Sequence, residues 1–270
     1  MTSFKFLRYP GGKQRLLNYI IPHLPASDSI TNNYIEPFVG GGAVFFAINP
    51  VRAILSDINH ELIMLYRGIK YAPRKVWKQY SSFPSTKEGY YTIRDEFTCN
   101  RLISRAARIL YLNRTCFKGM WRHNSKGEFN IGYGGQDRRW VINEKDLVEV
   151  SKRLKKVELL CADFEKVINS SAAGDFIFLD PPYKPHEKEC VNEHFTYGRF
   201  TFQDHIRLSR VLQSATSRGV KWAMTTSSHK DILSLFEGNQ VIKIPIGTGS
   251  KPGILTKDSG EVLIRNYEKV

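Results

Sequence analysis

The chain has 270 residues, 41% hydrophobic and 24% charged, with 40 Lys and Arg against 26 Asp and Glu for a net charge of +14. That length fits one large domain or a core with an insertion, and no run is apolar for long enough to span a membrane. The first residues, with Arg8, Pro10, Gly11 and Gly12, lack the apolar centre of a signal peptide, and Cys99, Cys116, Cys161 and Cys190 are too scattered for a disulfide framework or zinc finger. A cytoplasmic protein with free thiols is expected. The charge is concentrated, since residues 67–139 hold 16 basic and 5 acidic side chains, 11 of the 14 excess positive charges. Such a segment favours a polyanionic partner.

In chain order, Tyr9-Pro10-Gly11-Gly12-Lys13 leads into an apolar period (Leu16, Leu17, Ile20, Ile21) that predicts a short helix ending near Pro22. Gly-Gly-Lys at a helix start can offer backbone NH groups and an ammonium to an anion, but the spacing of a phosphate loop is missing. Residues 34–46, with Glu36, Phe38 and the run Gly40-Gly41-Gly42, predict a short strand, a glycine turn and an apolar helix. That turn lets backbone approach a ligand closely at a helix N-terminus. Residues 53–57 predict a second strand ending in Asp57, 17 residues after Gly40. This is near the spacing at which a βαβ unit sets a carboxylate on ribose hydroxyls, and the same side chain can cap the helix predicted over 59–69. A nucleoside-bearing cofactor is expected, and the lack of Gly-x-Gly-x-x-Gly counts against NAD.

From Arg67 to Arg139 the α/β rhythm breaks. Residues 90–112 predict one helix with a basic face (Arg94, Arg101, Arg105, Arg108) and an apolar one (Ile93, Phe97, Ile109, Leu112). Residues 113–135 then alternate basic, aromatic and glycine residues, with Ser125-Lys126-Gly127 as a hairpin turn. Such a loop can set an Arg against guanine and long cations against phosphates.

Residues 157–164 resume the sheet with a strand closing on Asp163 and Phe164, placed to meet an adenine ring or to start a helix. Residues 176–179, Phe-Ile-Phe-Leu, have the composition of a strand buried on both faces, and it must end at Asp180 because Pro181 and Pro182 lack a backbone NH. The Asp180 carboxylate and the Pro181 carbonyl can each accept one NH of an exocyclic amine, leaving its lone pair free, while Tyr183 can stack on the ring. A base reaches such a turn only after leaving the duplex. Residues 184–199 are expected to form a mobile lid; His186, Cys190 and His194 make too few ligands for a metal site. A helix over 203–218, a strand over 220–226, a helix near 229–237 and a final pair at 241–246 and 261–267 complete the chain, an antiparallel end to a parallel sheet.

Tyr9-Pro10-Gly11-Gly12-Lys13, Glu36-Pro37-Phe38-Val39-Gly40-Gly41-Gly42, Leu55-Ser56-Asp57 and Asp180-Pro181-Pro182-Tyr183, in that order with a long insertion before the last, resemble the Dam-type DNA adenine methyltransferases. The resemblance implies an α/β, doubly wound, mostly parallel seven-stranded sheet of the class I methyltransferase, Rossmann-like kind. Residues 1–66 and 157–270 would form the catalytic domain and 67–156 an inserted, mainly helical target-recognition domain. It implies S-adenosylmethionine as methyl donor, S-adenosylhomocysteine as product, no metal, and double-stranded DNA as partner, with no membrane and no obligate protein partner. Tyr9, Lys13, Glu36, Phe38, Gly40, Gly42, Asp57, Asp163, Phe164 and Asp180 would surround the cofactor; Asp180, Pro181 and Tyr183 would hold the flipped adenine. Arg8, Arg114, Lys118, Met120, Arg122 and Lys126 would reach DNA, with Arg122 resembling the guanine reader of members that methylate GATC. Tyr9 stands where many relatives have Trp, and Gly132 and Gly135 where GATC-reading members usually have Pro and Arg. The rival readings are methyl transfer to adenine N6 in RNA, an NAD-dependent oxidoreductase and a non-catalytic DNA-binding regulator.

Overall fold

The computed structural model describes residues 6–9, 11–124, 127–183, 200–248 and 255–268. Five parallel strands, β1 (Tyr34–Glu36), β2 (Ala53–Asp57), β3 (Val157–Cys161), β4 (Phe176–Leu179) and β5 (Lys221–Ser227), are continued by β6 (Gln240–Lys243) and β9 (Glu261–Arg265), with a separate hairpin of β7 (Ile246–Thr248) and β8 (Leu255–Lys257) between those two in sequence. The sheet order is β3-β2-β1-β4-β5-β9-β6, and β9 runs antiparallel to both of its neighbours. The doubly wound, seven-stranded expectation is met, including its antiparallel end.

The helices in chain order are α1 (Leu17–Ile20), α2 (Ala43–Ile48), α3 (His60–Tyr71), α4 (Pro73–Ser82), α5 (Lys87–Asp95), α6 (Leu102–Thr115), α7 (Glu144–Arg153), α8 (Phe164–Asn169), α9 (Phe202–Ser217) and α10 (Lys230–Ser234). The all-apolar run of β4 is sorted by the two-residue period of a strand. Phe176 and Phe178 join Tyr34, Ala223 and Leu263 in the core shared with α1 to α3, whereas Ile177 and Leu179 join Ile35, Trp222 and Met224 in the core shared with α8, α9 and α10. Both sheet faces are therefore covered, which is why these strands show no polar alternation. The chain passes from β1 outward to β2 and β3, then returns to β4 on the other side of β1. The strand order reverses at the β1–β4 crevice, where ligands of open α/β sheets collect.

Residues 90–112 are not one helix. α5 ends where Phe97 turns its NH back to the Thr92 carbonyl and packs its ring edge-on against Phe83, 5.3 Å between centroids. Arg108 of α6 then donates to the carbonyls of Ile93 and Arg94, at 3.0 and 2.6 Å, acceptors that the end of α5 leaves without a helical partner. A pattern of charges that reads as one basic face instead holds two helices together. α6 crosses α3 so closely that a Cβ on Gly68 would lie 2.3 Å from that of Ala106. Beyond α6 the chain forms an irregular hairpin with bridges Cys116–Tyr133 and His123–Phe129. His123 fixes it to α3 through Glu61, Nε2 to Oε2 2.8 Å.

Candidate active site

Three elements meet at the β1–β4 crevice. The glycine turn after β1 is shaped by Gly40 at φ 45° and Gly42 at φ 66°, left-handed conformations that L-residues rarely adopt. Asp57 Oδ2 accepts the Gly40 NH and Oδ1 the Asn59 NH, each at 3.0 Å, while the Tyr66 hydroxyl donates to the Gly40 carbonyl at 3.0 Å. The Tyr9 ring lies directly on the turn: a Cβ on Gly40 would be 3.0 Å from it. Tyr9 also packs at 5.7 Å against Trp121, joining the N-terminal segment, the turn and the hairpin.

Glu36, Asp57, Asp163 and Asp180 stand at the carboxyl ends of four neighbouring parallel strands. Glu36 is buried and accepts the Tyr34 hydroxyl at 2.7 Å. Burial pushes its carboxyl up to about 8, aided by the charges of Asp180 and Asp57 and opposed by the Tyr34 bond. Asp57 is pushed up to about 6 by burial, against the opposing pull of its backbone NH bonds.

Asp180 follows β4 into the two prolines, as its sequence requires. Its Oδ1 lies 2.8 Å from Lys13 Nζ and accepts the Thr225 hydroxyl at 2.7 Å. Lys13 Nζ also lies 3.4 Å from Glu261 Oε1 and 4.8 Å from the centre of the Tyr183 ring. Tyr183 donates its hydroxyl to the same Glu261 oxygen at 2.7 Å. Lys13 thus reaches the Asp-Pro-Pro-Tyr turn itself, its ammonium also donating to the Gly11 carbonyl.

Asp163 caps α8 through the Glu165 NH at 2.9 Å and is held by both terminal nitrogens of Arg207, at 2.7 and 3.0 Å. The Arg207 guanidinium lies 4.2 Å from the centre of the Phe164 ring, which is buried beside Phe38 and Phe200. Asp163 is therefore both a helix cap and a member of an ion cluster, and Phe164 is packed in an aromatic group beneath Arg207.

The residues expected to reach DNA divide into two groups. Lys118 is exposed beside the exposed Phe117 ring, and Met120 and Arg122 are partly exposed, with Arg122 Nε donating to Asn130 Oδ1 at 3.0 Å. Arg8 is partly exposed and packs against Gly119, where a Cβ would lie 2.6 Å from its side chain. Arg114 lies in the interior, only 4% exposed, with its guanidinium bonded to the Arg138 carbonyl. Arg139 is wholly buried and donates to the carbonyls of Tyr80, Phe83 and Pro84. Part of the positive charge counted in this segment thus serves its own packing. Lys126, Ser125 and the 184–199 segment with His186, Cys190 and His194 lie outside the described residues. Thr225, Arg207 and Glu261 escape sequence reasoning; the one signal for Glu261 is a charge opening a strand before three apolar residues.

Among the described residues no helix is long and apolar enough to cross a membrane. A family model described as D12 class N6 adenine-specific DNA methyltransferase matches residues 9–245. The chain is 35% identical to the Type II methyltransferase M.MjaIII of Methanocaldococcus jannaschii over 97% of this chain and 98% of that one. It is 31% identical to the Type II methyltransferase M1.LlaDCHI of Lactococcus lactis, over 97% and 95% of the two chains. A DNA adenine methylase of Vibrio cholerae is 29% identical over 87% and 86%.

Proposed function

The chain belongs to the D12 class of N6 adenine-specific DNA methyltransferases, and on that premise we propose that it takes its methyl group from S-adenosylmethionine at the β1–β4 crevice and delivers it to an adenine flipped out of duplex DNA. The observation that carries this reading is the hydrogen-bonded pairing of β1 with β4, which brings Asp180 to the same sheet end as the Gly40–Gly42 turn. The donor set suits the cofactor: close-approach glycines under an aromatic face, a row of carboxylates for a cation, and Asp57 with both oxygens fixed by backbone NH groups for a ribose diol. When bound, the cofactor supplies an electrophilic methyl group on a sulfonium.

Tyr9, Lys13, Glu36, Phe38, Gly40, Gly42, Asp57, Asp163 and Phe164 surround the cofactor in this reading. Asp180 and the Pro181 carbonyl accept the two amine hydrogens, drawing the nitrogen from planar toward tetrahedral so that its lone pair faces the methyl group. Tyr183 stacks on the extruded base. No general base is required, because the aminium formed is a strong acid; orientation and the negative charge of Asp180 supply the acceleration. Residues 67–156 serve as the target-recognition domain, with Arg8, Lys118, Met120, Arg122 and Lys126 toward DNA and Arg114 supporting the loop from within. GATC is the proposed target. The likeness to Type II methyltransferases supports a role beside a restriction nuclease in the cytoplasm.

Sequencing for N6-methyladenine in DNA from cells without adenine methylation of their own, expressing the chain or Asp180→Ala, tests reaction and target together. One short motif methylated by the wild type and none by the variant is expected; full methylation by Asp180→Ala overturns the assignment.

A further inference from the structure

Glu261 opens β9 opposite Ser227 of β5 and is 2% exposed. Burying a carboxylate is costly, and a strand start alone does not repay it. Two of its side-chain contacts lead to the Asp-Pro-Pro-Tyr turn. Oε1 accepts the Tyr183 hydroxyl and faces Lys13 Nζ, and Lys13 in turn holds Asp180 Oδ1. With Thr225 on the same atom, Oδ1 is committed, while Oδ2 takes no partner among the described residues and the Asp180 side chain is 20% exposed. Burial alone would lower the Lys13 pKa, but the two carboxylates outweigh it and hold the ammonium above its ordinary value. Two carboxylates around one ammonium leave one net negative charge; with Lys13 and Asp180 alone the cluster would be neutral.

We propose that Glu261 is the positioning residue of the methyl-transfer site. It fixes the Tyr183 ring through its hydroxyl, anchors Lys13 on one oxygen of Asp180 so that the other faces the amine, and preserves the net negative charge that stabilises positive charge developing on adenine nitrogen. The proposal rests on the roles given above to Asp180 and Tyr183.

Steady-state methyl transfer from tritiated S-adenosylmethionine to polymerase-copied, unmethylated duplex DNA tests it with Glu261→Gln, Tyr183→Phe, the double variant and Asp180→Ala. Glu261→Gln keeps the volume and can still accept the Tyr183 hydrogen bond, so it isolates the charge. Its kcat should fall about tenfold or more, while KM for the cofactor stays within about twofold. The double variant should lose less than the product of the single losses, because both substitutions act on one contact. Wild-type kcat in Glu261→Gln alongside an inactive Asp180→Ala overturns the role of Glu261 alone. Retained activity in Asp180→Ala overturns the underlying site reading instead.

Discussion

Glu36→Gln provides a direct physical test of the crevice. Glu36 is enclosed beneath the glycine turn, and its carboxyl is raised from 4.5 to about 8. A raised acid binds more protons folded than unfolded, so stability must fall as pH rises from the unfolded value through the folded one and then level off. A shift of roughly three to four units at about 1.4 kcal/mol each amounts to about 5 kcal/mol across that window. Asp57 acts in the same direction, but its loss levels off just above pH 6, so most of the change between about 6 and 8 belongs to Glu36. Gln imitates the protonated acid, retaining a carbonyl for the Tyr34 hydroxyl. Urea unfolding across this interval should show the wild type losing about 3 kcal/mol while the variant stays flat and becomes the more stable protein at the alkaline end. An unchanged slope in Glu36→Gln would refute the claim that this carboxyl is held neutral by burial.

Gly42→Ala should destabilise the fold by about 2–3 kcal/mol and weaken S-adenosylhomocysteine binding in calorimetry, because φ is 66° and the new Cβ would sit 2.8 Å from the Tyr66 hydroxyl that supports Gly40. Arg139→Met should cost about 3–5 kcal/mol in urea unfolding by stranding the carbonyls of Tyr80, Phe83 and Pro84, and Arg139→Lys should recover only part of that, since a point ammonium cannot replace the planar fork.

Where a feature is local, the chain announces it. The apolar run before Asp180 can only be a doubly buried strand, the prolines can only end it, and three glycines before an apolar helix can only be a close turn, because each follows from backbone sterics within a few residues. The four ordered motifs therefore announced the mostly parallel, doubly wound sheet that the chain forms. Periodicity failed over residues 90–112, where a continuous apolar and basic pattern spans two helices and Arg108 bonds across the break.

What the tertiary structure alone decided is the employment of charge. A run of arginines reads as a surface for polyanions, yet Arg114 and Arg139 spend their donors on carbonyls inside the segment. Asp163 meets Arg207 across 44 residues, and Tyr183 meets Glu261 across 78. Composition and spacing count charges without stating their partners, because pairing depends on which strands become neighbours, and sheet order is a property of the folded chain.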